Sequence, residues 1–384
     1  RLVTTDNSNN NGLNVFANNP NDTIKNNSSF KFEKTTIDQY KIITHLKDTI
    51  YVDTTLSIKA EYKHNYLRKD LFGLLPFANV SNTYNTLYFG LNNFSALPNF
   101  GVSSKHFAYI QEQDINYYNV PTPVTELYYK SVSGKGQTLD AFVTGNLNKN
   151  LNIGIGYKGL RSQGKYFNDL ASNGIFKVLA SYNSTDKRYY LKTHITSQNF
   201  KRQENGGLTN LEHFELGEGP YSDRARADVY LENANSLFKG NRYHIDHSFK
   251  LSKSNPNSLV LHHKFNYENK SYKFNNPDAT TRFGESYAST VSNKSNYNRL
   301  YNQAGVSFKH FKYGDLKAYV EDINYNIFYP SYLYTNQGLV PNNYSERINT
   351  VGANYFYQIK NWKLYADAQI GVNGPSTSQI VAKA

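Results

Sequence analysis

The chain has 384 residues, of which 39% are hydrophobic, 15% aromatic and 19% charged, and its net charge is +12. It contains no Cys, which excludes disulfides, thiolate metal sites and cysteine nucleophiles. No run of about 18 to 20 apolar residues occurs, so a helical membrane protein is excluded too. The basic residues are scattered singly and form no clustered stripe, so no nucleic acid is expected as a partner.

Three parts follow one another along the chain. Residues 1–30 are dominated by Asn, Ser, Thr and Asp and are predicted to be a disordered tail. Residues 31–123 mix short alternating runs with an apolar patch at 71–77, a pattern that fits first strands, a plug or a docking element. Residues 124–384 carry the strand signal.

Apolar and polar residues alternate with period two in this third part. In the run from 362 to 373, Leu364, Ala366 and Ala368 share one face, whereas Tyr365 and Asp367 share the other. A helix would scatter both sets, because only a strand places every second residue on one side. About eleven such strands are predicted between residues 124 and 373.

The connections between these strands alternate in length. Short turns are predicted at 147–150, 183–187, 252–257, 312–315 and 360–361. Long polar segments lie between them, at 161–171, 201–241, 275–298 and 330–346. Alternate connections of an antiparallel meander emerge at the same edge, so one edge has tight turns and the other has long loops. This pattern predicts an all-β fold, an antiparallel up-and-down transmembrane β-barrel with short periplasmic turns and long extracellular loops.

Aromatic residues flank the short turns, where an interfacial girdle of a barrel would lie. The alternative is that Tyr and Phe simply favour strands. The candidates for the girdle are Tyr182, Tyr189, Phe311, Tyr357 and Trp362.

The inward faces predicted by the alternation carry more cations than acids. Rings of positive charge on a water-filled pore favour anions, although screening over about 8 Å limits the preference to a few-fold. The alternative is that these cations pair with acids of residues 31–100 packed inside as a plug. The predicted lumen-facing residues are Lys158, Lys177, Lys192, His194, His244, Asp246, Lys250, His262, Lys264, Lys309, Lys363 and Asp367.

The histidine pairs do not predict a metal or catalytic site. Neighbours on a strand point to opposite faces, so His262 and His263 cannot share a metal, and Asp246 cannot orient His247. No catalytic residue, metal or cofactor is expected, and the chain is not expected to be an enzyme.

Several segments resemble the "putative porins" of the Bacteroidetes. They are YKHNYLRKDLFGLLPFAN at 62–79, YNTL at 84–87, KHFAY at 105–109, YYNVPTPVTELY at 117–128, YKGLRSQGKY at 157–166 and ENGGL at 204–208. The resemblance implies a β-barrel of the bacterial outer membrane, in contact with lipid and lipopolysaccharide, that passes small hydrophilic solutes. The chain departs from it at 380–384, where no strand ends on an aromatic residue. With an odd strand count, this predicts that C-terminal strands are missing from the sequence.

Two functions remain open at this point. The first is a channel for passive diffusion with a weak anion preference, and the second is a plugged barrel that serves as a subunit of a larger complex with other outer-membrane proteins. A soluble sugar-binding β-sandwich is disfavoured, because apolar residues recur outward on nearly every predicted strand.

Overall fold

The computed structural model describes residues 35–45, 48–53, 58–88, 100, 107–132, 135–255, 257–285, 288–310, 312–359, 362–373 and 378–383. Residues 1–30, predicted to be a tail, lie outside this set. No helix in the described part of the chain is long and apolar enough to cross a membrane.

The N-terminal segment, residues 36–123, forms short elements in its described part. Its five strands form a three-stranded sheet in the order β2-β1-β5 and a hairpin of β3 and β4. The 3-10 turns among its described residues lie at Ile37–Gln39, Ile58–Lys63 and Glu112–Asp114. The strands are β1 (Lys41–Ile43), β2 (Thr49–Tyr51), β3 (Leu74–Pro76), β4 (Tyr84–Thr86) and β5 (Tyr117–Asn119).

A twelve-stranded antiparallel sheet follows, and each strand pairs with the next long strand of the chain. A small hairpin of β15 (Leu333–Thr335) and β16 (Gly338–Val340) and the helix α1 (Leu211–Leu216) lie in its long connections. The strands of the sheet are β6 (Val124–Val132), β7 (Gly136–Asn148), β8 (Leu151–Ser162), β9 (Ala171–Asn183), β10 (Tyr189–Gln203), β11 (Asn235–Lys250), β12 (Val260–Asn276), β13 (Val291–His310), β14 (Gly314–Phe328), β17 (Asn343–Ile359), β18 (Trp362–Gly371) and β19 (Gln379–Lys383).

The predicted antiparallel meander is confirmed, with one strand more than expected. All eleven predicted strands occur, and β19 adds a twelfth by pairing with β18. Five residues are too few for alternation to distinguish a strand from a loop. Strands β6 and β19 form the two edges, and in the described part of the chain the sheet is not closed.

The loop lengths sort as predicted with one exception. The connections after β7, β9 and β13 are short, and those after β10, β12 and β14 are long. The connection after β11 (251–259) is one residue longer than the connection after β8 (163–170). The longest, residues 204–234, contains α1 and the 3-10 turns Gly219–Ser222 and Arg224–Arg226. The predicted turn at 360–361 lies outside the described residues.

The two faces of the sheet have the reverse of the polarity found in a soluble protein. On β10, Lys192, His194 and Arg202 are buried, whereas Ile195 is 46% exposed. A sheet in water would bury its apolar side chains instead. We call the buried side, which also carries Asn152, Arg242, Glu268 and Glu321, the polar face. The exposed side is the apolar face, which carries Val143, Ile155, Phe176, Ile245, Val320, Val351, Leu364 and Ile370.

On the apolar face, we expect the free-energy cost of an introduced charge to depend on its depth in the bilayer. Ile195→Arg, at the middle of β10, is expected to destabilise the protein in lipid by about 2–4 kcal/mol, because an exposed cation there meets acyl chains. Asn199→Arg is the matched control on the same face. It lies four residues nearer the long loop, about 13 Å along the strand, and is expected to cost at most about 1 kcal/mol.

Urea unfolding from phospholipid vesicles measures both variants. Equal costs at the two positions would contradict the assignment of this face to lipid.

Candidate functional site

The N-terminal segment lies against the polar face and pairs with it through its backbone at Ile110. The Ile110 N–H donates to the Gln198 amide oxygen (2.8 Å), and the amide nitrogen of Gln198 donates to the Ile110 carbonyl (3.0 Å). Arg242 on β11 donates to the same carbonyl (3.0 Å). These bonds satisfy backbone groups that would be costly to bury alone.

Glu112 carries the first ionic contact between this segment and the sheet. Its carboxylate accepts hydrogen bonds from Lys264 (2.9 Å) and Asn266 (2.8 Å) on β12. His45 and His244 lie 3.9 and 4.0 Å from it. Burial alone would raise the pKa of the Glu112 carboxyl, but Lys264 and His244 outweigh burial and hold the pKa well below its ordinary value. Glu112 is therefore a half-buried anion supplied to a cationic region of the sheet.

Glu268 forms a second ionic centre on the polar face itself. Its carboxylate lies 2.6 Å from Arg242, 3.1 Å from Lys270 and 3.3 Å from Arg299, and it accepts a hydrogen bond from the Tyr109 hydroxyl (2.8 Å). The side chains of Glu268 and Arg242 are each 1% exposed. Three cations surround one anion, so the centre keeps a net positive charge.

Tyr109 fixes the segment between these two centres. Its ring centroid lies 6.3 Å from that of Phe200 and 5.3 Å from that of Phe238. A Cβ at Gly240 would lie 2.6 Å from the Tyr109 ring, so only glycine admits the ring here. Burial raises the pKa of Tyr109 and Glu268 raises it further, so the hydroxyl stays protonated and donates.

A separate group of hydrogen bonds holds residues 66–84 near the long-loop edge of the sheet. Asn173 on β9 donates to the Tyr66 hydroxyl (2.9 Å) and to the Ser81 hydroxyl (2.5 Å). Asn79 accepts from Ser162 (2.5 Å) at the end of β8. Burial raises the pKa of Tyr66 to about 12. The segment is thus attached at two depths of the polar face.

Two histidines of the polar face stack beneath Tyr117. His194 and His244 lie directly opposite on β10 and β11, with ring centroids 4.6 Å apart. The Tyr117 hydroxyl is 2.7 Å from His194 Nδ1. Sequence analysis did not find this pair, because the register that joins two distant strands is a property of the sheet.

All twelve residues predicted to face inward share the polar face by strand alternation and register. Their surroundings differ. Lys264 binds Glu112, whereas Lys309 is 76% exposed beside Asp315 (3.3 Å). Lys363 is exposed and Lys250 half-buried, both at the short-turn ends of their strands. The other contacts are Lys158 with the Tyr66 carbonyl, Lys177 over the Phe142 ring, Lys192 with the Thr44 carbonyl, His262 with Ser307 and Asp367 with Asn354; Asp246 lies opposite Lys192 and Lys264 in the register.

The four predicted girdle residues that the structure describes fall on the apolar face beside short turns. The ring centroids of Tyr182 and Tyr189 are 6.2 Å apart, and Trp362 is 71% exposed. Tyr357 shares this face near the end of β17. Phe311 lies outside the described residues, and the girdle itself stays a prediction.

A cavity of about 370 Å³ remains between the N-terminal segment and strands β7 to β9. Lys158 and Lys177 line it, together with Asp140. Lys158 donates to the Tyr66 carbonyl, and Lys177 lies 4.9 Å from the centroid of the Phe142 ring. Among the described residues, no carboxylate lies within 4 Å of either ammonium group.

Glu112, Tyr109 and Arg242 are the functional residues that sequence analysis missed. Arg242 and Glu268 share one face in the alternation, which is a signal that could have found their pair. Glu112 gives no such signal, because it lies in a segment without a long periodic run. The contact of His247 with His263 across β11 and β12 (2.9 Å) was missed because it depends on the register of the two strands, as the pair of His194 and His244 does.

An antiparallel sheet with an apolar exposed face and a buried polar face is typical of membrane proteins that cross the bilayer with β-strands. The sequence matches the family described as "Putative porin" over residues 36–384, and the chain belongs to this family. It is a protein of the bacterial outer membrane. No curated protein matches the sequence.

Three solved structures are distantly similar. They are the ferric-catecholate import receptor Fiu from E. coli K12 in its closed form (TM-score 0.46, 8% identity, 68% of this chain and 45% of that chain), the unliganded ferric citrate transporter FecA (0.39, 12%, 68% and 39%) and the β domain of the Bordetella autotransporter BrkA (0.26, 12%, 68% and 93%). The chain spans less than half the length of the two receptors. These likenesses are too weak to assign a function.

The contacts of Glu112 predict that its charge holds the N-terminal segment in place. Glu112→Gln is expected to weaken the docking of residues 107–120 by about 1.5–3 kcal/mol, the usual value of hydrogen bonds to a charged group. Amide hydrogen exchange in these residues should become roughly ten- to a hundredfold faster. Because the pKa is lowered, this contribution is complete above the ordinary value of 4.5 and declines as the pH falls further.

Glu126→Gln is the matched control, since Glu126 pairs with Arg68 in an exposed position (55%) and such pairs contribute at most about 1 kcal/mol. Equal exchange in both variants would show that Glu112 does not anchor the segment.

Proposed function

We propose that the protein is a porin-like channel of the outer membrane that passes small hydrophilic solutes by passive diffusion, with a weak preference for anions. In this proposal the polar face lines the channel, and the N-terminal segment is a fixed constriction inside it. The observation that carries the proposal is the reversed polarity of the sheet, since a buried face rich in Lys, Arg, His and Asn suits water and solutes. The family membership supports transport and not catalysis.

The residual cavity supports a route past the constriction. Its side toward the sheet presents Lys158 and Lys177, whose charges are not neutralised by a contacting carboxylate. Asp140 also faces it, so a passing anion meets a mixed surface with an excess of cations. Fixed positive charge raises the local concentration of anions, but the Debye length of about 8 Å limits the effect in a wide channel.

A second function is favoured by the two ionic centres. Glu112 of the N-terminal segment binds Lys264 and Asn266 of β12, and Tyr109 of the same segment donates to Glu268 of β12. These charge-assisted bonds suit a permanent plug. The protein would then be a structural or interaction subunit of a complex with other outer-membrane proteins. The Bacteroidetes origin implied by the sequence resemblance stays a prediction.

Ion selectivity of the full-length protein in planar bilayers tests the first proposal. Under a KCl gradient, the reversal potential is expected to show an anion preference of a few-fold. In the double variant Lys158→Gln/Lys177→Gln this preference should fall towards one, because the two cations that face the cavity are removed. The control Lys239→Gln/Lys273→Gln removes two lysines from the apolar face and should leave selectivity unchanged.

The outcomes separate the two functions. A cation-selective wild type would overturn the charge argument. Absence of conductance in the wild type, with conductance restored by Gly240→Val, would favour the plugged subunit, because a side chain at 240 displaces Tyr109.

A further inference from the structure

A cluster of lysines lies on the apolar face near the long loops, at Lys201, Lys239, Lys273 and Lys294. We call these four residues the lysine row. Lys201, Lys273 and Lys294 belong to a single row of cross-strand neighbours over β10, β12 and β13, with Leu237 of β11 between them. Lys239 lies two residues from Leu237 on the same face. A groove of about 510 Å³ is lined by Lys239, Lys273, Lys294, Ser271, Ser292 and Pro330.

The charges of the lysine row have no ionic partner among the described residues. All four side chains are exposed, and no carboxylate of the described residues lies within 4 Å of any of them. Lys273 is directly opposite Lys294. Like charges in this position destabilise a sheet, so the arrangement favours an external anion between them.

The position of the row along the strand matches the boundary of a bilayer. On β10, Tyr189 lies beside the short turn, Ile195 at the centre and Lys201 near the long loop, six residues apart in each case. Six residues rise about 20 Å along a strand, which is about 15 Å along the membrane normal at the usual tilt of about 40°. That is half of a hydrocarbon core of about 30 Å. Lys201 therefore lies at headgroup depth if Ile195 lies at the midplane.

We propose that the lysine row is a binding site for a phosphorylated lipid of the outer leaflet, with the phosphate groups in the groove and the acyl chains along the apolar face below. Lys is a compact point charge that suits phosphate, and the hydroxyls of Ser271 and Ser292 add donors. Long loops of outer-membrane barrels are extracellular, which places the row in the outer leaflet. The proposal rests on the outer-membrane location and not on conductance.

Lipid retention by the full-length protein in detergent tests the site. The probes are bisphosphorylated lipid A, its dephosphorylated form and inorganic phosphate, and native mass spectrometry measures the bound fraction. Lys239→Gln/Lys273→Gln/Lys294→Gln is expected to lower the affinity for bisphosphorylated lipid A at least tenfold. Lys149→Gln/Lys253→Gln/Lys312→Gln, which removes three exposed lysines from the short-turn edge, should not change it.

A single charge reversal separates lost binding from lost folding. Lys294→Glu places a carboxylate opposite Lys273, so the sheet is expected to be at least as stable in urea unfolding, whereas lipid A binding is lost. Equal lipid A binding by the two triple variants would overturn the proposal. So would a loss of the same size for the dephosphorylated lipid, or tight binding of inorganic phosphate without a preference for lipid. None of these results depends on whether the protein conducts ions.

Discussion

Burial of charge on the polar face is the constraint on which the rest of the structure depends. Arg242 and Glu268 lie in the interior at 1% exposure, where an unpaired charge would be strongly unfavourable. The sheet alone does not neutralise this region, because three cations surround Glu268. Glu112 of the N-terminal segment supplies a further anion, beside Lys264. The attachment of that segment is therefore part of how the sheet tolerates its own interior.

The apolar face on the other side of the sheet follows from the same reversal of polarity. A sheet with a polar interior presents Ile195 and Ile245 to its surroundings, and the bilayer replaces the core that a soluble protein would build. On β10, β12 and β13 this face then changes from apolar near the short turns to polar near the long loops. The lysine row lies at that change, and its charges contact no carboxylate within the described part of the chain. This arrangement suits the lipid around the protein more than the fold alone.

The two proposals use different faces and different lysines. Lys158 and Lys177 lie beside a cavity that the N-terminal segment does not fill, whereas Lys273 and Lys294 oppose each other where lipid headgroups would lie. In the two proposals, selectivity and lipid binding therefore depend on different residues of one sheet. Both pairs of lysines contribute to the net charge of +12, but composition alone does not show which lysines lie on which face.

Alternation by itself determined eleven strands of the large sheet and the two faces of each of them, because a period of two is a local property of an extended backbone. It located Lys192, His194 and Lys264 on one side of the sheet without any knowledge of register. The tertiary structure decided what those residues contact. Which residue of β10 lies opposite His244, and whether Glu112 reaches Lys264 across 152 positions of sequence, depend on register and on long-range packing. Neither leaves a periodic trace in the chain, since the free energy of such contacts comes from groups that only the folded protein brings together.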